Sequence, residues 1–237
     1  MELREILEEA EIFLVAIGEE FQAVFDELKI DNSMGSAIFE EFAKKEFLDN
    51  REKGRVDFAY ERLRLFLENK NYFLITMCYD DRIYDAGLEA DRIVAPCGSL
   101  HALQCEAVCT DEIYAADDFL RDISEGKQPL CPHCGKGLVM NHIGASRYSE
   151  EGYLKQWEKY TKWLQGTLNK KLCILELGVG LKYPSVVRWP AEKITYLNQK
   201  ARLIRVHPSL YQLPEEIKNR GISIAEDPIT FLLNQFV

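Results

Sequence analysis

Two close pairs of cysteines constrain the fold of this chain more than any other feature. The first pair is Cys105 and Cys109 in the segment CEAVC, and the second is Cys131 and Cys134 in CPHC. Four thiolates suit tetrahedral zinc, and because they fill every coordination position they leave none for water. The spacing therefore predicts a closed structural zinc site, without a catalytic role, in a small module over residues 101–142 that has too little core of its own.

The alternative is four unrelated buried cysteines. It is weakened because the other three, Cys78, Cys97 and Cys173, stand singly in the chain. The N-terminal segment MELREILEEAEIF is charged from its start, so no signal peptide is expected, and no run of about 18 apolar residues predicts a membrane helix. We therefore expect a cytoplasmic protein, and in a reducing compartment paired cysteines are more often metal ligands than disulfides.

The charge balance argues against nucleic acid as a partner. The chain carries 29 Lys and Arg against 39 Asp and Glu, a net charge of -10. A phosphate backbone would be repelled by most of such a surface. A zinc-ribbon nucleic-acid binder is therefore the weakest of the functional hypotheses.

Short apolar runs alternate with segments of helical periodicity, which predicts an α/β fold with a parallel sheet. The predicted strands are residues 11–17, 72–77, 92–95, 172–177, 194–197, 201–206 and 222–224. The predicted helices are residues 1–10, 36–49, 56–69, 153–165 and a last one from residue 228. The cysteine block interrupts this alternation, so residues 1–100 and 143–237 are expected to form one large domain around the inserted module.

Four segments resemble the sirtuin family in their order along the chain. They are YFLITMCYDDRIYDAG, which resembles a strand and loop of pattern TTNxDxxxxxAG, then PCGSLHALQCEAVC, LELGVGLKYPSVVRWP and ARLIRVHPS. The resemblance covers roughly residues 10–235. The C-x3-C spacing, CPHCGKGLVMN and LELGVG are closest to the bacterial sirtuins that are linked to macrodomains.

The resemblance implies a Rossmann-like parallel sheet with helices on both faces and a small inserted zinc-ribbon module. In sirtuins, NAD and an acyl-lysine or other acceptor meet in the cleft between the two domains, and the macrodomain-linked branch is associated with ADP-ribosylation of proteins more than with deacylation. NAD or ADP-ribose and an acceptor or partner protein are therefore the implied ligands. The residues that match the family's cofactor-binding motifs are Gly18, Thr76, Asp80, Gly98, Gly178 and Gly180.

The first glycine loop departs from the family's GAGxS-type pattern. The aligned stretch is AIGEEFQ, in which Gly18 is kept, Glu19, Glu20 and Phe21 stand where small residues are expected, and Gln22 replaces the serine. Two carboxylates in a first helical turn favour the helix through its dipole. They would also repel a bound pyrophosphate, so an ordinary acidic turn is the favoured interpretation.

The chemical positions depart as well. Cys78 stands where the family has an Asn that orients the nicotinamide ribose, and a thiol lacks the paired donor and acceptor of an amide. Cys97 precedes Gly98 where the family has His, or Gln in the macrodomain-linked branch. The family's Asn near the adenosine ribose is replaced around His207.

Two hypotheses follow for the nucleotide site. In the first, the chain is a degenerate sirtuin-like protein that acts as a binding or regulatory partner with weak or no NAD-dependent transfer. In the second, it is an active ADP-ribosyltransferase or deacylase with a rebuilt pocket in which Cys78 and Cys97 are reactive. Gly178 and Gly180 leave both open, since a lone G-x-G serves either a nucleotide or chain reversal.

Overall fold

The computed structural model describes residues 2–23 and 37–236. The strands are β1 Ile12–Ile17, β2 Asn71–Thr76, β3 Ile93–Val94, β4 Gly98–Cys105, β5 Tyr114–Ala115, β6 Leu138–His142, β7 Leu172–Leu177, β8 Arg202–Val206 and β9 Gly221–Ile224. The helices are α1 Leu3–Glu9, α2 Ala37–Asn50, α3 Arg55–Leu67, α4 Arg82–Asp85, α5 Leu120–Ser124, α6 Glu151–Gln165, α7 Arg188–Leu197 and α8 Pro228–Gln235.

Six strands form a parallel sheet in the order β3-β2-β1-β7-β8-β9. The central strand β1 is buried along its whole length, and its residues pair with β2 on one side and β7 on the other. Strands covered on both faces read as continuous apolar runs, which is why IFLVAI and LCILEL were recognisable in the sequence. The predicted α/β class is confirmed.

Helices cover both faces of this sheet. One apolar core joins the sheet to α3 and α8 through residues such as Leu63 and Phe231. A second core on the opposite face includes Tyr160 of α6 and Ala191 of α7. The two cores fix the sheet between two helical layers, and the carboxyl ends of β1, β2, β7 and β8 then share one edge, as in all parallel sheets of this kind.

A second, antiparallel sheet of three strands, in the order β5-β4-β6, carries the cysteine pairs. Its core contains Leu103 and Leu138, and α2 packs on it through Ile38. β4 begins at Gly98, so the boundary expected at residue 100 falls inside this strand. The division into two domains stays a prediction.

One predicted strand is wrong. Residues 194–197 form the last turn of α7, not a strand. Ile194, Thr195 and Tyr196 have high strand propensity, but only four residues separate residue 197 from β8, whereas a parallel neighbour needs a crossover of a dozen or more. Within the helix, the Thr195 hydroxyl donates to the carbonyl oxygen of Ala191 at 2.8 Å.

The other predicted elements are found with shifts of one or two residues at their ends, and residue 36, where α2 was expected to begin, lies outside the described residues. Over residues 2–23 and 37–236, no helix combines the length and the apolar character needed to cross a membrane.

Candidate nucleotide-site edge and metal centre

Two glycines bring the carboxyl ends of β1 and β7 into direct contact. A Cβ on Gly18 would lie 2.0 Å from the carbonyl oxygen of Gly178, so a side chain at Gly18 would push the two strand ends apart. Gly178 has φ +66°, in the left-handed region that favours glycine. Close packing of two strand ends therefore accounts for both residues, whether or not a ligand approaches them.

Glu19 turns inward over the Gly-rich turn. Its Oε2 accepts a hydrogen bond of 2.8 Å from the backbone N–H of Gly180. This N–H follows a buried parallel strand, where a Rossmann fold places backbone donors against the pyrophosphate of a dinucleotide. In this chain, an internal carboxylate takes the donor.

Glu20 is 43% exposed and lies beside His207, with 3.5 Å between its Oε1 and Nε2 of the imidazole. The backbone N–H groups of Ser209 and Leu210 both donate to His207 Nδ1, at 3.1 and 3.0 Å. The proton of the neutral ring must then be on Nε2, which faces Glu20. Burial lowers the pKa of His207, although Glu20 opposes this shift, so the ring offers a neutral donor to the carboxylate.

Thr76 ends β2, and Cys78 follows two residues later, next to Gly18 at the end of β1. The Thr76 hydroxyl accepts from the backbone N–H of Cys78 at 3.1 Å, and the Cys78 thiol donates to the carbonyl oxygen of Gly18 at 3.3 Å. Burial, together with the charge of Asp80, raises the pKa of Cys78 well above its usual value. The thiol at the position of the family's Asn is thus a buried, neutral group that ties β2 to β1.

Asp80 is held by other parts of the protein. It accepts from Arg82 Nε at 3.0 Å and Nη2 at 2.8 Å, and from the backbone N–H of Ala23 at 2.6 Å. The Arg82 guanidinium also donates to the carbonyl oxygen of Phe21. This arrangement anchors the segment that follows β1, and it uses Asp80 as a fixed acceptor.

Cys97 and Gly98 lie where β4 begins. Cys97 is 1% exposed, and burial, reinforced by the nearby charge of Glu19, raises its pKa to about 12. A Cβ on Gly98 would lie 2.1 Å from the carbonyl oxygen of Asn141 in β6. The two residues therefore fit close packing of β4 on β6, and the thiol cannot be a thiolate near neutral pH.

The structure adds a histidine that the sequence did not mark. His142 of β6 pairs in register with Gly98, and its ring stacks on Tyr79 with 4.8 Å between centroids. Gly144 N–H donates to Nδ1 at 2.9 Å, so Nε2 carries the proton and donates to Glu41 Oε1 at 2.6 Å. Glu41 and His142 are 101 residues apart, and no local pattern could have joined them.

A buried ionic network of β7, β8 and α7 lies next to the Gly-rich turn. Arg205 of β8 donates to Glu176 of β7 at 2.5 Å and to Glu192 of α7 at 2.8 Å. Arg188 then donates to the carbonyl oxygen of Val179, inside the turn, at 3.0 Å. Arg188 of α7 thus contacts the turn directly, and Glu192, 3.9 Å from Arg188, connects it to the Glu176–Arg205 pair.

The four predicted metal ligands come together. The Sγ atoms of Cys105, Cys109, Cys131 and Cys134 all lie within 4.8 Å of one another. The distances are 3.5 Å between Cys105 and Cys134 and 3.6 Å between Cys109 and Cys131, far longer than a disulfide bond. Tetrahedral Zn–S bonds of about 2.3 Å place sulfur atoms about 3.8 Å apart, so the donor set fits zinc.

The electrostatics of the cluster also favour a metal. Burial opposes ionisation of Cys105, but the backbone N–H groups of Cys109 and Ala107 lower the pKa of this thiol to about 6. The neighbouring Cys134 raises the pKa of Cys109. Crowded thiols that compete for ionisation are stabilised together when a cation binds all of them.

Two curated proteins are similar in sequence to most of this chain. No family model matches the chain. A protein ADP-ribosyltransferase of Staphylococcus aureus (strain Mu50 / ATCC 700699) is 25% identical over 189 residues, 73% of this chain and 59% of that protein. A probable bifunctional ADP-ribose hydrolase/ADP-ribosyltransferase of Fusarium oxysporum f. sp. cubense is 28% identical over 184 residues, 70% of this chain and 31% of that protein. The chain thus spans less than two thirds of either relative.

Solved sirtuin structures match almost the whole chain. One, from a study of sirtuin substrate affinity, has a TM-score of 0.62 and 15% identity, and covers 98% of this chain and 97% of its own. A complex of Sir2 with a p53 peptide and NAD+ has a TM-score of 0.62 and 14% identity, and covers 98% of this chain and 96% of its own. The chain therefore has the sirtuin fold, together with a four-cysteine cluster that could hold a metal.

Proposed function

We propose that the chain is a sirtuin-like binding or regulatory protein with weak or no NAD-dependent transfer, and that zinc holds its small module. The observation that carries this proposal is the hydrogen bond from Gly180 N–H to Glu19 Oε2 at 2.8 Å. A dinucleotide would need that donor for its pyrophosphate. Its anion would also meet the Glu19 carboxylate at close range, in a partly dehydrated place where like charges repel strongly.

The thiols at the two chemical positions support the same proposal. A cysteine acts as nucleophile or base through its thiolate, which requires a lowered pKa. Burial raises the pKa of Cys97 to about 12 and that of Cys78 well above its usual value. Neither thiol is therefore equipped for proton transfer at neutral pH.

Zinc in the module has a structural role in this proposal. Four sulfur ligands leave no open coordination position, so the ion would supply folding energy and no chemistry. Cys105, Cys109, Cys131 and Cys134 would hold it. In this proposal the binding partner is another protein, either an acceptor of ADP-ribose or a related active enzyme.

Isothermal titration of the zinc-loaded protein with NAD and with ADP-ribose tests the proposal. We expect no micromolar binding of either ligand by the wild-type protein. The variant Glu19→Ala should bind ADP-ribose at least about tenfold more tightly than the wild type, a difference of about 1.4 kcal/mol, since it frees the Gly180 donor and removes a like charge. Glu216→Ala, at an exposed acidic residue, is the matched control and should change nothing.

Micromolar binding of NAD by the wild-type protein would contradict the proposal. It would favour the second candidate, an active NAD-dependent ADP-ribosyltransferase or deacylase with a rebuilt pocket. The observation that favours this candidate is that both curated relatives carry an ADP-ribosyltransferase name. Release of nicotinamide from NAD in the presence of candidate acceptor proteins would support it, and release no greater than in buffer would count against it.

A further inference from the structure

A groove of about 480 Å³ lies between helix α7 and the segment of residues 214–217. Arg188 at the start of α7 donates to the carbonyl oxygen of Leu210 at 2.7 Å, and Arg220 donates to that of Thr195, near the end of α7, at 2.6 Å. These hydrogen bonds fix the segment to both ends of the helix, so the groove is preformed. Its volume is within the range of ligand sites, roughly 300–1,000 Å³.

Two aromatic side chains of α7 stand on one wall of this groove. Trp189 is 58% exposed and Tyr196 is 55% exposed, although tryptophan and tyrosine are usually half-buried or more. They are seven residues apart, which places them on the same face of the helix and about 10.5 Å apart along its axis. Pro214 and the buried Ile217 form the opposite wall. The groove therefore offers two rings at a defined spacing against an apolar wall.

The same face of α7 carries hydrogen-bond donors that are free to bind a ligand. Lys193 lines the groove and lies four residues after Trp189 and three before Tyr196, so the three side chains form one stripe. Over residues 2–23 and 37–236, the indole N–H of Trp189, the hydroxyl of Tyr196 and the ammonium of Lys193 have no acceptor or ion-pair partner in the protein. A ligand with exposed carbonyl oxygens matches this stripe.

A polyproline II helix has both the spacing and the free carbonyl groups. It has three residues per turn and rises about 3.1 Å per residue, so every third side chain returns to the same face after about 9.3 Å. It also has no internal hydrogen bonds, which leaves its carbonyl oxygens free. An α-helix can match the ring spacing but uses its own carbonyl groups, and a β-strand returns to one face every two residues, after about 6.6 Å.

The charge of the groove favours a basic residue beside the prolines. Glu216 lines the groove and is exposed, and its carboxylate has no ion-pair partner among the described residues. Glu192 also lines the groove, but Arg205 already donates to it at 2.8 Å. Glu216 is therefore available to a Lys or Arg side chain of the ligand.

We propose that this groove binds a proline-rich segment of another protein, in the polyproline II conformation and flanked by Lys or Arg. Prolines three residues apart would pack on Trp189 and Tyr196, as such segments do in other aromatic-lined grooves. A second copy of this chain fits less well, because a two-fold contact would set one concave groove against the other. The proposal goes beyond the proposed function, and it does not depend on whether NAD binds.

Fluorescence anisotropy of labelled peptides, titrated with the zinc-loaded full chain, tests this proposal. The first peptide has six L-prolines flanked by two arginines. The second has the same composition but alternates L- and D-proline, so it cannot form a polyproline II helix, and the third has six L-prolines flanked by two glutamates. We expect the first peptide to bind with a Kd below about 1 mM and the second at least about tenfold more weakly. The third should bind about threefold more weakly than the first, since exposed ion pairs contribute little.

Three variants locate the binding. Trp189→Ala should weaken it at least about tenfold, and Tyr196→Phe, which keeps the ring but removes a donor, several-fold. Glu216→Gln should remove the preference for arginine over glutamate beside the prolines. Phe58→Ala, at an exposed ring of α3 outside the groove, is the matched control and should leave binding unchanged. Far-UV circular dichroism and the melting temperature show whether each variant is folded.

Three results would overturn the proposal. They are no binding of the arginine-flanked L-proline peptide by the wild type, equal binding of the peptide with alternating prolines, and full binding by folded Trp189→Ala. Sedimentation equilibrium checks the other occupant. A dimer of the wild type that is lost in folded Trp189→Ala would assign the groove to a second copy and would overturn the proposal as well.

Discussion

At the scale of single residues, the site depends on contacts between groups far apart in sequence. Glu19 and Gly180 are 161 residues apart, and Glu41 and His142 are 101 apart. The sequence predicted that Glu19 would disfavour a pyrophosphate, because the segment AIGEEFQ alone places this carboxylate in the turn after Gly18. It could not show that the carboxylate binds the donor of the other turn, since that requires the pairing of β1 with β7.

The buried pair of Glu176 and Arg205 gives a prediction about stability. Arg205→Met leaves Glu176, which is 0% exposed, without its counter-ion, and we expect the free energy of unfolding to fall by about 3–5 kcal/mol. The double variant Glu176→Leu/Arg205→Met should lose much less, because no isolated charge remains buried. Urea unfolding followed by circular dichroism measures both, and a double variant that loses as much as Arg205→Met alone would contradict this explanation.

The partly buried carboxyl of Asp81 predicts a dependence of stability on pH. Burial raises its pKa to about 7 in the folded protein, from the usual value of 3.8. Between these values the folded state holds the proton more firmly than the unfolded state, so Asp81 stabilises the fold at low pH and this contribution is lost as pH rises towards 7. The difference in unfolding free energy between the wild type and Asp81→Asn should therefore shift against the wild type from pH 4 to pH 7. A difference that stays constant over this range would contradict the raised pKa.

At the scale of elements, buried parallel strands and paired cysteines were predictable, while helix α7 was not predicted and its last four residues were predicted as a strand. The runs IFLVAI and LCILEL are covered on both faces, so their composition alone identified them. The Cys105–Cys109 and Cys131–Cys134 spacings marked the four-cysteine cluster, which could hold a metal, for the same local reason. Residues 194–197 were mistaken for a strand because strand propensity is a weak guide where tertiary packing decides.

The loop between the first two cysteines carries backbone strain. Val108 has φ +49°, a left-handed conformation that is unfavourable for a β-branched residue, and it is 37% exposed. Val108→Gly should raise the free energy of unfolding by about 1 kcal/mol, because glycine accepts this conformation without a steric cost. Ala107→Gly, next to it and without a positive φ, is the control and should not stabilise the protein. Chemical unfolding of the zinc-loaded variants measures the effect, and equal stability of Val108→Gly and the wild type would argue against strain at this position.

At the scale of the whole molecule, the two sheets have separate cores. The parallel sheet has an apolar core on each face. Among the described residues, the small sheet has one core of nine buried residues, two of which are cysteines of the cluster. The alternation of strands and helices predicted the class of the large sheet. The order β3-β2-β1-β7-β8-β9 was not predictable from it, because local patterns do not say which strands are neighbours.

With zinc in the cysteine cluster, as proposed above, its removal should affect the two sheets differently. With a chelator, we expect hydrogen exchange to increase sharply in β4 and β6 and to change little in β1 and β7, since the large sheet keeps both of its cores. Exchange monitored by mass spectrometry before and after chelation measures this. Equal loss of protection in β1 and β4 would show that the module and the large sheet unfold as one unit.

The central claim is that Glu19 occupies the donor that a dinucleotide would need. A crystal structure of the zinc-loaded protein soaked with ADP-ribose tests it most directly. We expect Glu19 Oε2 to remain in hydrogen-bond contact with Gly180 N–H, at 2.8 Å as in the present structure, with no phosphate on the turn. A phosphate bound to Gly180 N–H, with the Glu19 side chain turned away, would contradict the claim.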